Sequence, residues 1–455
     1  MLRSLWLLFV YIAFFGLGAT TPFILALGYI WVDTFRPQEV AYVILDQLPV
    51  AMIIGAAAVG SYFAFDRKDP PRITLAGATP AFLALWCTIT MLWAVAPESG
   101  WVKWDWAFKT LVFAAFLPLV IRSRVQIEAM AQVYLFALAG NIIPFGVKTL
   151  ISGGGYGMNL GLLAGNAGLA EGGQLSTFCL MAVPIAYYLS RRATLIPKNF
   201  ITSCAYLGIT FLAVVTALGT FERSALLGVA VLAIYMFMRS RRKILFGTVL
   251  AIGTAAVLYT SSSLFMKRME TIGTYQADSS AIVRLAVWRW TFDFSLSHPL
   301  GGGFNSYLTN VIEIPGDGPN ADSTVQSGRA FHSSYFEMLG EQGWPGLTMF
   351  LLAAGSTLMS LRRLSKRTRN VPHLAWCADL SDALQSGILV FMASGAFVGI
   401  AFQPIFWYFI ALSVSLREYV RRVNALGTST KAVGWRGVAR SGVSASGVPA
   451  TTRSR

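Results

Sequence analysis

The sequence predicts an all-α polytopic membrane protein with about twelve transmembrane helices and one large, partly helical loop. Composition is the first reason, because 55% of the 455 residues are hydrophobic and only 13% are charged, which is far more apolar than a soluble domain of this length. The second reason is the length of the apolar runs, about 17–25 residues, which a helix needs to cross a hydrocarbon core about 30 Å thick. The residue alternation of membrane β-strands is absent.

The charge pattern predicts the topology. The formal net charge is +15, and 25 of the 36 Lys and Arg residues fall into six groups between or after the apolar runs. Short loops rich in Lys and Arg face the cytoplasm. The excess charge therefore indicates orientation and not a nucleic-acid partner. The six groups lie at 67–72, 122–124, 191–198, 239–243, 362–369 and 417–455.

Between these groups the apolar runs occur in pairs, as expected for helices that cross the membrane and return. Residues 5–34 are counted as one span, broken near Gly18 to Pro22, because an even total places both termini in the cytoplasm. Thirteen spans is the alternative count. The other predicted spans are about 45–64, 73–95, 104–122, 127–147, 172–190, 199–218, 224–238, 243–260, 345–361, 384–401 and 404–418.

This topology divides the chain into four regions. They are an N-terminal transmembrane bundle (1–260), a large loop on the far side of the membrane (261–344) where polar chemistry is expected, C-terminal transmembrane helices (345–423) and a basic cytoplasmic tail (424–455) expected to be disordered. The same parity places residues 96–103, 148–171 and 219–223 on the far side of the membrane. Residues 153–173 hold nine glycines, which fits either a flexible loop over a cavity or a plain connector.

The large loop has an internal order. Residues 279–297 carry Ile282, Leu285, Ala286, Phe292 and Leu296 at helical spacing, which predicts an amphipathic helix on the membrane surface or over the bundle. A break follows at 298–305. We predict an irregular loop over 311–328 and a second helix over about 331–341, which ends at Gly343 and Pro345 before the chain re-enters the membrane.

Three residues in these outward segments are candidates for chemistry. His332 stands near the start of the second loop helix, where the helix dipole disfavours positive charge, and a neutral imidazole can accept a proton from a hydroxyl. Arg223 and Arg284 can hold a phosphate as two-pronged donors. The alternatives are a histidine that is only hydrogen-bonded in a loop and arginines at the membrane surface, with Arg223 paired to Glu222.

Metal and disulfide chemistry are not indicated. Asp317 and Asp322 are isolated acids, and no carboxylate cluster with divalent-metal spacing occurs in the outward loops. The four cysteines show no CxxC spacing and suggest neither disulfides nor a zinc site. His298 follows a helix end and His373 lies in a cytoplasmic loop, so neither is assigned a catalytic role.

The order of motifs over residues 220–346 resembles the O-antigen ligase and polymerase superfamily, WaaL-like and Wzy-like membrane glycosyltransferases. The motifs are an Arg223-Ser pair opening a span, an Arg284-x-x-x-Trp helix, His298-Pro-Leu-Gly-Gly-Gly-Phe, and His332-Ser-Ser-Tyr-Phe-Glu-Met-Leu-Gly-Glu-Gln-Gly-Trp-Pro-Gly. The hydropathy resemblance covers nearly the whole chain. The surroundings of Trp31-Val-Asp-Thr-Phe-Arg-Pro-Gln are similar, more weakly, to the O-glycosylation ligases associated with exosortase systems.

The resemblance implies transfer of a glycan from an undecaprenyl-diphosphate carrier to a glycan, lipid or protein hydroxyl. It places the site on the periplasmic face of the bacterial inner membrane and requires no metal or other cofactor. It makes His332 the catalytic base, and Arg223 and Arg284 the ligands of the donor diphosphate. Arg329, Tyr335 and Glu222 are expected to support these three residues.

Several alternatives stay open at this stage. Glu222 departs from the small residue that commonly precedes the family's arginine, so a Glu222–Arg223 pair would weaken the role of Arg223. A Wzy-type repeat-unit polymerase and a protein O-oligosaccharyltransferase would share the same motifs, because they differ in the acceptor. A transporter of lipid-linked glycans is less favoured, since the later spans carry few mid-span charges.

Overall fold

A computed structural model describes residues 2–37, 48–66, 68–152, 171–239, 279–314 and 323–441. Within these ranges the chain is helical apart from short 3₁₀ turns, loops and one hairpin. The helices are α1 Leu2–Gly18, α2 Pro22–Phe35, α3 Val50–Phe65, α4 Leu75–Thr90, α5 Pro97–Val120, α6 Arg124–Ser152, α7 Gly172–Arg192, α8 Phe200–Gly219, α9 Arg223–Arg239, α10 Ser279–Ser297, α11 Ser334–Thr368, α12 Ala375–Ser394 and α13 Pro404–Ser441.

The apolar helices confirm the predicted class of an all-α membrane protein. Among the described residues, four helices are long and apolar enough to cross a membrane: Leu75–Trp93, Arg124–Ile151, Phe200–Gly219 and Ser334–Thr368. Three shorter apolar helices cover Ser4–Gly18, Pro22–Phe35 and Val50–Phe65. The count of twelve spans stays a prediction. The predicted span 243–260 and most of the glycine-rich segment lie outside the described residues.

The first two helices form a hairpin, which corrects the expectation that residues 5–34 act as one broken span. The Trp31 ring lies 6.2 Å from the ring of Trp6 and 6.3 Å from that of Tyr11. The chain therefore reverses between α1 and α2. Gly18 and Pro22 bound this turn, since Pro22 opens α2 without needing an N–H partner. If both helices cross the membrane, the count becomes thirteen, the alternative noted above.

The centre of the bundle is α7, which is buried on almost every side. It packs against α6, α8, α9 and α12, and α12 in turn contacts α11 and α13. A helix that is buried all round needs neighbours on every face. The glycines that open α7 allow this close approach, because a Cβ at Gly173 would lie 2.8 Å from a methyl group of Val398.

The span expected at 384–401 is displaced. Helix α12 runs from Ala375 to Ser394, and the chain then leaves the helix until α13 begins at Pro404. The predicted span included residues 395–401, an apolar stretch that Gly395 and Gly399 interrupt. The more polar start of α12 is helical because its two aspartates meet arginines of other helices: Asp379 binds Arg192 at 2.6 Å, and Asp382 lies 3.1 Å from Arg239.

The predicted loop helix is confirmed as α10. Leu285, Phe292 and Leu296 are exposed, whereas Val287 and Thr291 are fully buried. An exposed apolar face fits the first of the two predicted positions, on the membrane surface, better than the second, over the bundle. Only Ile282 and Ala286 of the expected set pack against the small core that Val287 shares with the following hairpin.

That hairpin replaces much of the irregular loop predicted for 311–328. Strand β1, Val311–Ile314, pairs antiparallel with β2, Thr324–Ser327, and Ile312 lies opposite Gln326. Ile312 and Ile314 are buried beneath α10. The alternation of apolar residues over only four positions was too short to outweigh the Gly- and Pro-rich connection at 315–322, which lies outside the described residues.

Helix α11 begins at Ser334, three residues later than predicted, and is interrupted where the sequence indicated. Gly343 has φ 65° and ψ −167°, so a short segment that precedes it is separated from a long apolar one that follows. At the other end of the fold, α13 continues as helix to Ser441, into the tail that was expected to be disordered. Residues 442–455 are not among those described.

Candidate active site

Two of the sequence motifs cross at a distance that only glycine permits. At Gly301, with φ +86°, a Cβ would lie 2.5 Å from the carbonyl oxygen of Glu341. At Gly343, with φ +65°, a Cβ would lie 2.4 Å from the carbonyl oxygen of Pro299. Both the left-handed backbone and the close approach exclude other side chains. The turn at 298–304 is thereby held against the break in α11.

Backbone hydrogen bonds fix this crossing. The Gly303 N–H donates to the Glu341 carbonyl at 2.9 Å, and the Trp344 N–H donates to the Pro299 carbonyl at 3.0 Å. From the N-terminal bundle, the Trp86 indole donates to the Gln342 carbonyl at 2.8 Å. A helix interrupted at Gly343 leaves backbone groups without helical partners, and these three bonds occupy several of them.

A buried lysine joins α5 to the short segment of α11. Lys103 Nζ lies 2.6 Å from Glu337 Oε1 and 2.8 Å from Glu341 Oε1. The remaining contacts come from the backbone: the Ala401 N–H donates to Glu337 at 3.0 Å and the Asn305 N–H to Glu341 at 3.0 Å. A buried charge is stable only when it is paired and hydrogen-bonded. We call Lys103, Glu337 and Glu341 the lysine clamp.

The start of α11 is fixed by the loop between α12 and α13. The Ser334 N–H donates to the Gly395 carbonyl at 2.7 Å, and its hydroxyl donates to the Val398 carbonyl at 2.8 Å and accepts from the Ile400 N–H at 3.0 Å. The Tyr335 hydroxyl donates to the Met392 carbonyl at 2.7 Å. Tyr335 therefore supports the helix from the bundle side and does not reach the exposed face.

His332 sits immediately before this anchored helix and faces outward. Its φ is 46°, in the left-handed region, where histidine is among the few enriched non-glycine residues. Such conformations persist only when the surroundings impose them, and they cluster at functional sites. Ser333 and Ser334, both buried on the following turn, supply that constraint.

The surroundings of His332 favour the neutral imidazole. The pKa of His332 is lowered from its ordinary value, first by its partial removal from solvent, then by the positive charges of Arg284 and Arg329. Glu171, which caps the start of α7, acts in the opposite direction. The sequence had attributed a neutral imidazole to the helix dipole; the structure attributes it to burial and two arginines.

Trp288 explains why Arg284 comes close to His332. Its indole N–H donates to the Phe331 carbonyl at 2.8 Å, and its ring stacks on Phe336 at 5.1 Å with an interplanar angle of 8°. Residues four apart lie on the same face of a helix. Docking Trp288 between Phe331 and Phe336 thus places Arg284, one turn earlier, near enough for its charge to act on His332, while Arg289 is exposed on another face.

Hydrogen bonds to the backbone place the start of α9, where Arg223 lies, close to the start of α11. It opens α9, and the carbonyl of the next residue, Ser224, accepts a hydrogen bond from the Ser394 hydroxyl at 3.3 Å. Ser394 adjoins Gly395, which holds Ser334. The start of α9 is therefore two short links from the start of α11. The suggested pairing of Arg223 with Glu222 stays a prediction.

Arg329 belongs to the rim of the site. Its backbone is fixed by Asn310, whose side chain donates to the Arg329 carbonyl at 2.6 Å and accepts from its N–H at 2.9 Å. Its guanidinium donates to Gln326 of β2 at 2.7 Å. The hairpin thus presents a cation beside His332.

In the described part of the chain, no three His, Cys, Asp or Glu residues form a group that could hold a metal ion.

Sequence reasoning missed the lysine clamp and Glu171. A signal for the clamp was present, because Glu337 and Glu341 lie four apart on a helix leading into an apolar span, and two carboxylates there require a cation. Its partner could not be inferred, since Lys103 is more than 230 positions away in the chain. Glu171 lies near the end of the glycine-rich segment, where the sequence offers no periodicity that would orient it.

Comparison with known families matches two parts of the chain. Residues 208–351 match the O-antigen ligase family, and residues 2–194 match a family of unknown function (DUF5935). No match is found among curated proteins. The O-antigen ligase segment contains His332, Arg223 and Arg284, whereas Lys103 and Glu171 come from the N-terminal segment. The relation to exosortase-associated ligases stays a prediction.

Proposed function

We propose, from the match of residues 208–351 to the O-antigen ligase family, that the protein transfers a glycan from an undecaprenyl-diphosphate carrier to an acceptor hydroxyl. The site would face the periplasm from the bacterial inner membrane. The observation that carries the proposal is the position of His332, whose pKa is lowered by burial and by Arg284 and Arg329. A base and two cations on one exposed face suit an uncharged nucleophile and an anionic leaving group.

The reaction would proceed by direct displacement. His332 takes the proton of the acceptor hydroxyl, a contribution of about 10²- to 10⁴-fold, while the hydroxyl oxygen attacks the anomeric carbon. The bond from that carbon to the diphosphate oxygen breaks, and undecaprenyl diphosphate leaves with the electron pair. Attack opposite the leaving group predicts inversion of the anomeric configuration.

The arginines would stabilise the leaving group. Arg284, placed by Trp288, and Arg223, at the start of α9, are assigned to the two phosphates, whose developing charge guanidinium groups meet in a two-pronged geometry. Fixed donors of this kind commonly contribute about 2.7–4 kcal/mol each. We propose that the guanidinium groups take the place of a metal and that no other cofactor is needed.

Two further residues would adjust the base. Glu171 favours a charged imidazole, so it would stabilise the imidazolium that forms when His332 takes the proton. Arg329 acts in the opposite sense and would help to expel that proton after transfer. Their opposed effects fit a group that must gain and lose a proton in each cycle.

The proposed activity is a single addition, as in a ligase. Repeat-unit polymerisation or transfer to a protein would use the same donor chemistry and would differ in the acceptor. An assay with purified protein in nanodiscs, an undecaprenyl-diphosphate-linked oligosaccharide, several candidate acceptors and EDTA separates them, with products identified by gel and mass spectrometry. One added glycan indicates a ligase, and a ladder of repeats indicates a polymerase.

The variants in this assay are His332→Ala and, as matched control, His298→Ala. His298 is the other histidine of the loop; it stacks on Phe294 at 4.2 Å at the end of α10. We expect His332→Ala to lose transfer and His298→Ala to retain it. Transfer by His332→Ala near the native rate would remove the base, and movement of the donor across a vesicle membrane without product would indicate a transporter.

A further inference from the structure

A basic cavity lies at the opposite end of α11 from His332. Its volume is about 380 Å³, within the range of about 300–1,000 Å³ typical of small-molecule sites. It lies among the end of α11, the turn that follows, the start of α4 and the middle of α13. Since α11 has 35 residues, about 50 Å of helix separates the cavity from the candidate active site.

The lining carries more positive than negative charge. Four arginines, Arg72, Arg367, Arg417 and Arg421, and a single acid, Glu418, line the cavity. The Glu418 carboxylate is already occupied, because it accepts from Arg421 Nε at 2.9 Å and from Arg422 Nε at 3.0 Å. In the part of the chain that the structure describes, no carboxylate pairs with the other three arginines of the lining.

The inner wall of the cavity is apolar. Leu364 and Val371 contribute from α11 and the turn, and Leu374, Val414 and Val420 complete the wall. A soluble anion would need only the arginines. A cationic rim beside aliphatic side chains suits an amphipathic molecule whose anionic group meets guanidinium donors while its chains pass along the helices.

The chain's own tail does not supply such an anion. Residues 425–455 contain five Lys and Arg residues and no Asp or Glu. This composition would add repulsion to a cavity that already has three unpaired positive charges. The membrane leaflet on the basic side, by contrast, offers anionic lipid headgroups, to which clustered arginines are attracted.

We propose that this cavity binds the phosphate of an anionic glycerophospholipid, with its acyl chains along α11 and α13. The bound lipid would join the ends of α4, α11 and α13, which meet here with few direct ion pairs between them. The site is independent of glycan transfer and does not rest on the function proposed above.

Lipid binding can be measured by native mass spectrometry of the full-length protein released from nanodiscs containing phosphatidylglycerol and phosphatidylcholine. We expect retained phosphatidylglycerol in the native protein and a loss of about 25-fold in Arg367→Gln/Arg417→Gln, about fivefold for each arginine. The control is Arg362→Gln/Arg363→Gln, which removes the same charge from exposed positions of the same helix outside the cavity. It should retain the lipid.

Three results would overturn the proposal. Equal loss in both double variants would show a general effect of surface charge, and equal retention of phosphatidylcholine would show no headgroup preference. Displacement of the lipid by glycerol phosphate alone would indicate a site for soluble anions. Thermal unfolding of each variant without added lipid checks folding, and Arg367→Lys/Arg417→Lys, which keeps the charge, should restore most binding if the first variant misfolds.

Discussion

The two ends of the bundle use charged residues in opposite ways. At the basic end, pairs such as Arg369 with Asp382 and Arg192 with Asp379 lie partly exposed to solvent. At the site end, Lys103 is enclosed with Glu337 and Glu341. Exposed pairs contribute about 0–1 kcal/mol each, whereas breaking a buried pair costs about 3–5 kcal/mol. The basic end is therefore joined by many weak contacts, whereas the site end is held by a few strong ones.

The site end also constrains the backbone, as the left-handed conformation of His332 shows. We expect His332→Gly and His332→Ala to lose glycan transfer by about 10²- to 10⁴-fold. A non-glycine residue in the left-handed region carries a cost of about 1–2 kcal/mol, so the glycine variant should unfold at a higher temperature than the alanine variant. Thermal unfolding of the two in the same detergent measures this.

Two outcomes would contradict this view of His332. A glycine variant less stable than the alanine variant would mean that the surroundings of His332 do not hold it in a strained conformation. Native transfer activity in either His332 variant would mean that the constrained backbone serves folding and not catalysis.

Two lysines of α5 provide a matched test of burial. Lys103→Met leaves two carboxylates in a buried site and should lower the free energy of unfolding by about 3–5 kcal/mol. Lys109→Met breaks only an exposed pair with Asp105, at 2.7 Å, and should cost less than about 0.5 kcal/mol. Chemical or thermal unfolding in one detergent compares them.

A double variant gives a second, independent test of the lysine clamp. If Lys103→Met is destabilised because charge is left unpaired, then adding Glu341→Gln should recover part of the loss. Equal stability of the two lysine variants, or no recovery in the double variant, would contradict a buried clamp.

The arginines beside the site should respond less than His332 but more than those at the basic end. Arg284→Lys and Arg223→Lys keep the charge and lose the two-pronged geometry, and we expect each to reduce transfer by about 10- to 100-fold, the range for a hydrogen bond to a charged group. Arg289→Lys, on another face of α10, should leave it unchanged. Steady-state transfer at saturating acceptor measures all three, and an unaffected Arg284 or Arg223 variant would make that arginine structural.

Much of this organisation could be predicted from the sequence, and the exceptions have physical causes. His332, Arg284 and Arg329 could be proposed as site residues because they belong to a contiguous hydrophilic loop, where any charged residue is conspicuous among apolar spans. The helix break at Gly343 was found because glycine and proline mark interruptions. These features depend on local sequence alone.

The remainder depends on contacts between distant segments. Lys103 could not be matched to Glu337 because neither position indicates which helices will be neighbours. Residues 395–401 were included in a predicted span because hydropathy does not register that Ser334 and Glu337 bind the backbone of this segment. The hairpin of α1 and α2 was missed because a turn that starts at Gly18 has the same composition as a kink. Tertiary partners decided each case.

We propose that His332, whose pKa is lowered partly by the Arg284 charge, acts in its neutral form as the base of glycan transfer. The direct test is the pH dependence of single-turnover transfer in the native protein, Arg284→Gln and the control Arg289→Gln. Because the pKa of His332 is lowered and the unprotonated form is active, the native rate should fall only below about pH 6.5. Removing the Arg284 charge raises that pKa, so the acid limb of Arg284→Gln should move to higher pH while that of Arg289→Gln stays with the native one. A native pH profile with no acid limb would contradict the role of His332 as the base. An acid limb that Arg284→Gln leaves in place would contradict the effect of Arg284 on His332.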